Sequence, residues 1–242
     1  MKQIVVSVLA IVGAFAIAGG AFYLWSNRPG RTAVSVNGRI LTDRELTWRA
    51  QTLIDDAKRV EKLLIPEREM PEAMRHYRRT AAKMWIVKEV LLAAAVESGV
   101  AATPEDERKS LAKIERQLKS RHLTPEQFFK EGPIPEAIKR SDFKEAVLIG
   151  KYTNREIEDK LSVGTKDIDD RVKELREINA KIVKSGGKPR FKADRKTAIE
   201  MLRQERYNIA FRDLFRDRFG KTAVECPAFP DLESVDGVSP PR

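Results

Sequence analysis

With 242 residues, 42% of them hydrophobic and 34% charged, the chain has apolar material for one full core. Its 13 glycines and 12 prolines are too few for a sandwich or barrel of many short strands, so the expected class is mainly α, in one folded domain. A formal charge of +10 favours acidic partners, but Lys and Arg are interleaved with Asp and Glu, as from Lys166 to Arg176, which leaves no concentrated phosphate-tracking stripe.

From Ile4 to Trp25 no residue is charged; Lys2 precedes the stretch, and Arg28, Pro29 and Gly30 follow it. Its length suits the roughly 20 apolar residues of a bilayer span, with Phe22, Tyr23 and Trp25 where an interfacial aromatic belt belongs. A retained anchor is the first reading on that length; the rival is a cleaved signal peptide, which the small residues at Ala16, Ala18 and Gly19 to Ala21 also suit. Residues 1–30 are therefore expected to be a signal anchor or signal peptide, residues 31–226 the folded domain, and the proline-rich 227–242 a flexible tail. Lys2 on one side and Arg28 and Arg31 on the other leave the orientation undecided.

The folded part opens with Ala33 to Leu41, which alternates apolar and polar residues around Asn37-Gly38, the pair that supplies positive φ to a tight hairpin. Thr42-Asp43-Arg44-Glu45 is a capping box, so a first helix is expected from Asp43, burying Leu46, Leu53, Ile54, Val60 and Leu64 until Pro66. A second helix runs from near Pro71 to Gly99 with Met74, Tyr77, Ala81, Met84, Trp85, Leu91, Leu92 and Ala95 as its apolar stripe. Thr103-Pro104 and Thr124-Pro125 each place a capping threonine before a proline at the first helical position.

After the Gly132 to Pro135 break, Ile138, Phe143, Val147, Leu148 and Tyr152 mark another helix, with a possible start at Ser141 and reaching towards Leu161. Thr165 is placed to cap a helix through Ile168, Val172, Leu175, Ile178 and Ile182, which stops at Ser185-Gly186-Gly187. The last helix covers about Asp194 to Phe219, with Ile199, Leu202, Ile209, Leu214, Phe215 and Phe219 facing the core, and Ala223-Val224-Glu225 is a candidate strand.

Three phrases carry a resemblance: Val34-Ser35-Val36-Asn37-Gly38-Arg39-Ile40-Leu41-Thr42; Ala94 to Val100 with Thr103-Pro104-Glu105; and Gly164-Thr165-Lys166-Asp167-Ile168. In this order they resemble the N-terminal, peptide-binding domain of the SurA and PrsA group of exported chaperones, over about Ala33 to Ile182. The resemblance implies a helical bundle whose first strand pairs with a strand after the last helix. In that group a parvulin isomerase domain is inserted before the last helix. Here only a Gly-Gly-Lys-Pro turn separates Ile182 from Asp194, where an isomerase would need on the order of a hundred residues.

No phosphate-loop glycine pattern, HExxH helix, cysteine-rich metal spacing or Gly-x-Ser-x-Gly elbow is present, so no catalytic residue, cofactor or metal is expected. His76 and His122 lack partners at metal-ligand spacing, and the single cysteine, Cys226, excludes an intramolecular disulfide. A chaperone instead needs adaptable or flat apolar side chains. Trp48, Met84, Trp85, Phe128, Phe129 and Tyr152 are the candidate peptide-binding residues, each weighed against an ordinary place in the core. The expected partners are unfolded or partly folded polypeptides and, through residues 4–25, the bacterial inner membrane; no nucleic acid is expected. The location that follows is the periplasmic face of that membrane, or the periplasm after cleavage. The competing expectation is an anchored scaffold for one folded partner.

Overall fold

The structure, a computed structural model, describes residues 30–60, 62–119 and 123–238. It is mainly helical with a small antiparallel sheet. In chain order the elements are β1 (Thr32–Val36), β2 (Arg39–Thr42), α1 (Asp43–Val60), α2 (Met70–Glu97), α3 (Pro104–Lys119), α4 (Pro125–Lys130) and α5 (Glu136–Ile157). They are followed by α6 (Thr165–Lys184), α7 (Arg195–Phe219), β3 (Val224–Glu225) and α8 (Val235–Val238). No helix among the described residues is long and apolar enough to cross a membrane. The uncharged stretch 4–25 and His122 lie outside the described residues.

The chain divides into two compact units. The first takes the described residues up to Ile86, together with Leu123–Arg140 and Ala223–Val238. Its sheet has the order β2-β1-β3. Asn37 and Gly38, at φ of 49° and 80°, turn β1 into β2 as the Asn-Gly pair requires, and Val36 pairs with Arg39. On the other edge of β1, Ser35 pairs with Glu225 and Val36 with Val224, so the strand after α7 closes the ribbon. An irregularity between Thr32 and Val34 lets the adjacent Ala33 and Val34 both be buried, which plain alternation would forbid.

The capping box forms as the sequence requires: the Thr42 N–H donates to Glu45 Oε2 at 3.1 Å and the Glu45 N–H to Thr42 Oγ1 at 3.3 Å. α1 packs on the sheet and buries Leu46, Ala50 and Ile54. It ends earlier than the pattern suggests. Lys62 adopts a left-handed φ of 54°, so the chain leaves the helix and Leu64 is 92% exposed rather than on the buried face. Arg78 ties α2 to the first turn of α1, donating to Thr47 Oγ1 at 2.7 Å and Asp43 Oδ1 at 2.8 Å.

The second unit holds the described residues of Val87–Lys119 and Ser141–Thr222. One cluster buries Leu91, Ala94, Ala95, Tyr152, Ile157 and Leu214, and a smaller one joins Ile168 and Val172 of α6 to Ala198 of α7. α2 ends at the expected glycine: Gly99 has φ of 67° and the Val100 N–H reaches back to the Ala95 carbonyl. α5 continues unbroken past Ser141, which starts no helix of its own. α6 is capped by Gly164 rather than Thr165, because the extended turn falls one residue earlier and no side-chain cap bond forms. The connection from α6 to α7 is pinned by Asn179, whose Oδ1 accepts from the backbone N–H groups of Arg190 and Phe191 while its Nδ2 donates to the Phe191 carbonyl. Ile209 is 51% exposed; the buried side of α7 runs through Ala198, Ala210, Leu214, Phe215 and Phe219.

The tail departs most from expectation. From Pro227 to Val238 it is folded against the first unit: Leu232 and Val238 are buried, the Ala228 N–H donates to the Ala33 carbonyl, and the Cys226 N–H donates to Glu233 Oε1 at 2.7 Å. Gly237 permits this, since a Cβ there would stand 2.0 Å from the Asp231 carbonyl oxygen.

Candidate functional site

Five of the six candidate side chains belong to the first unit. The buried stripe of α2 runs through Ala81, Ala82, Trp85 and Ile86, which puts Trp85 in the core and turns Met84 outward, 57% exposed. Trp48 is half-buried on α1 under the Arg44 guanidinium, 4.7 Å from its ring centroid. In α4 the neighbouring rings divide as adjacent helical positions must: Phe129 is buried and Phe128 half-exposed, in edge contact at 5.5 Å. Each carries a cation, Lys139 Nζ at 5.6 Å from the Phe128 ring and Arg140 at 4.6 Å from that of Phe129.

α4, which carries these rings, is held at both ends by side-chain hydrogen bonds. Thr124 and Gln127 complete a reciprocal capping box at its start. At its end the Lys139 ammonium donates to the carbonyls of Phe128 and Glu131, and Arg140 binds Glu126 at 2.7 Å and Glu136 at 2.8 Å. Burial pushes Lys139 below the usual lysine value. Tyr152, the sixth candidate, belongs to the second unit and is fully buried in its larger cluster, where burial pushes the phenol up.

A cleft of about 420 Å³ lies elsewhere on the first unit. One wall is the start of α2, with Glu72, Arg75, His76 and Arg79 on one helical face; the other is the tail, Ala228 to Asp231. Arg79 grips Asp231 through both oxygens, one bond being 2.6 Å. None of these residues was a sequence candidate. The opposite wall belongs to the segment 227–242 that the sequence marks as a flexible tail.

The Arg79 hydrogen bond holds the Asp231 carboxyl below the usual carboxylate range. Its contribution to tail docking is thus complete above the ordinary value of 3.8 and is lost as pH falls through the lowered folded value. Asp231→Asn removes the charge at neutral pH. Limited digestion with chymotrypsin should then cut after Leu232 faster than in the parent chain, with little change in melting temperature. Unchanged cutting would show that Leu232 and Val238 hold the tail without the ion pair.

Cys226 is buried and its thiol is raised by that burial, which keeps it protonated and poorly nucleophilic at neutral pH. Among the described residues no group of three or more His, Cys, Asp or Glu side chains is placed to hold a metal ion. No protein-family model, curated protein or solved structure matches this chain.

Proposed function

We propose that the chain is an exported, chaperone-like protein of the SurA and PrsA kind, without an isomerase module, which holds unfolded or assembling polypeptides by apolar contact. The observation that carries the reading is the ribbon closure, in which β1 lies between its hairpin partner and the strand that follows the long helix α7. The short link between α6 and α7, tied down by Asn179, supports the lack of an inserted domain. Trp48, Met84 and Phe128 support the binding mode: each keeps apolar surface in water on one unit, where flat or flexible side chains adapt to varied sequences. Residues 4–25 supply the export signal or anchor, and no cofactor takes part.

The test is suppression of aggregation of several unrelated denatured clients by the full-length chain in neutral detergent micelles. A client-independent reduction in light scattering is expected, weakened by the surface change Met84→Glu. A chain that protects none of them, yet retains one folded protein from the same envelope, would be a dedicated scaffold. Protease digestion of spheroplasts tests the location: the folded part should be cut from outside, and protection would overturn the exported reading.

A further inference from the structure

The cleft beside Arg75 has a composition that selects among ligands. Its helical wall carries two guanidinium groups one turn apart, and one of them is already used: Arg79 holds the carboxylate of Asp231. Arg75 is exposed and makes no ion pair or hydrogen bond through its side chain with any described residue. His76 lies beside it, also exposed, its ring set edge-on to Tyr77 at 5.3 Å. The facing wall is apolar at Ala228, Phe229 and Pro230.

We propose that this cleft is a second peptide-binding site, specific for an acidic segment: one Asp or Glu carboxylate of the ligand enters the fork of Arg75, and an apolar neighbour lies on Phe229 and Pro230. The Arg79 to Asp231 pair is an intramolecular example of the same recognition, one helical turn away. The charge around the cleft argues for a monoanion. Glu72 and Asp231 balance the two arginines, so a phosphate chain or nucleic-acid backbone would meet as many carboxylates as guanidiniums, whereas a single carboxylate needs only one fork. The apolar wall opposite argues for a side chain next to that carboxylate.

The proposal rests on the peptide-binding reading but concerns different residues, and the two separate experimentally. The probe is a short fluorescein-labelled peptide alternating aspartate with phenylalanine, titrated by anisotropy against the full-length chain in neutral micelles. The same peptide with lysine for aspartate is the control. The aspartate peptide should bind and the lysine peptide should not. Arg75→Glu should weaken binding by about tenfold or more, the loss of one charge-assisted pair, and Arg75→Lys by less because it keeps the charge without the fork.

Among the described residues Arg75 has no side-chain partner to lose, so both variants should keep the parent melting temperature. Equal binding of the two peptides, an unchanged affinity in Arg75→Glu, or no binding of the aspartate peptide to the parent chain would each overturn the site. Aggregation suppression that survives in Arg75→Glu while the aspartate peptide is released leaves both readings standing. Binding of the peptide by a chain that suppresses no aggregation keeps the cleft and removes the chaperone reading.

Discussion

Tyr152→Ala is expected to destabilise the protein by about 3–5 kcal/mol, the range for removing a large aromatic side chain from a packed core. The ring is 0% exposed and belongs to the cluster with Leu91, Ala94, Ala95, Ile157, Ala210 and Leu214, contributed by three helices. These neighbours sit on helix backbones and can close the gap only in part, so a cavity remains. The guanidinium groups of Arg155 and Arg218, each 5.9 Å from the ring centroid, would also lose their aromatic partner. Tyr152→Phe keeps the ring and should stay within about 1.5 kcal/mol of the parent. Urea unfolding of both variants measures this. The pair also assigns the residue: a packing role predicts a large stability loss in the first variant and unchanged client binding in the second. Lost binding with intact stability in Tyr152→Phe would make the phenol a ligand contact.

What the sequence made legible was local. Asn37-Gly38, the capping box at Thr42, the capping threonines Thr103 and Thr124, and Gly99 each act over three or four residues, and each does in the structure what its chemistry dictates. The apolar stripes of α2 and α7 were also legible, but not their centres. Met84 and Ile209 fall at helical spacing from buried residues and still face water, because the neighbouring elements decide which flank of a stripe is covered. Leu64 was misplaced because a lysine in the left-handed region ended α1, and lysine carries no sequence signal for that conformation.

The tail and the cleft were hidden for a different reason. Two buried apolar residues, Leu232 and Val238, are too sparse to mark a packed segment. The cleft joins Arg79 to Asp231, which are 152 positions apart, and no periodicity connects such residues. Gly237 was the one available hint, and it is informative only once the approach of the Asp231 carbonyl is known.

Lys88 illustrates the same limit energetically. In the sequence it is one of many interleaved charges; in the second unit its ammonium joins α2 to α5, at 2.7 Å from Asp142 Oδ1 and 2.6 Å from Glu145 Oε2, with Glu89 Oε1 at 3.0 Å. Glu89 is only 2% exposed. Lys88→Met keeps the aliphatic stem and deletes the charge, leaving three carboxylates close together in a poorly hydrated place. Breaking such a cluster from one side should cost about 2–4 kcal/mol, somewhat below the fully buried case because water still reaches Asp142 and Glu145. Adding Asp142→Asn and Glu145→Gln to Lys88→Met should recover much of the loss, since the repulsion is then removed as well.

The pH dependence fixes the sign. Burial lowers the lysine's proton affinity, but its hydrogen bonds to Asp142 and Glu145 outweigh that and leave it above the ordinary value of 10.5. A cation raised on folding stabilises fully below its unfolded value and loses that contribution as pH climbs through its folded value. The parent chain should therefore lose stability on the alkaline side of 10.5 more steeply than Lys88→Met, which has no proton to lose there. Parallel urea curves for the two proteins across that window would show instead that Asp142 and Glu145 are satisfied by other neighbours, and that the ammonium is incidental to the joint between the helices.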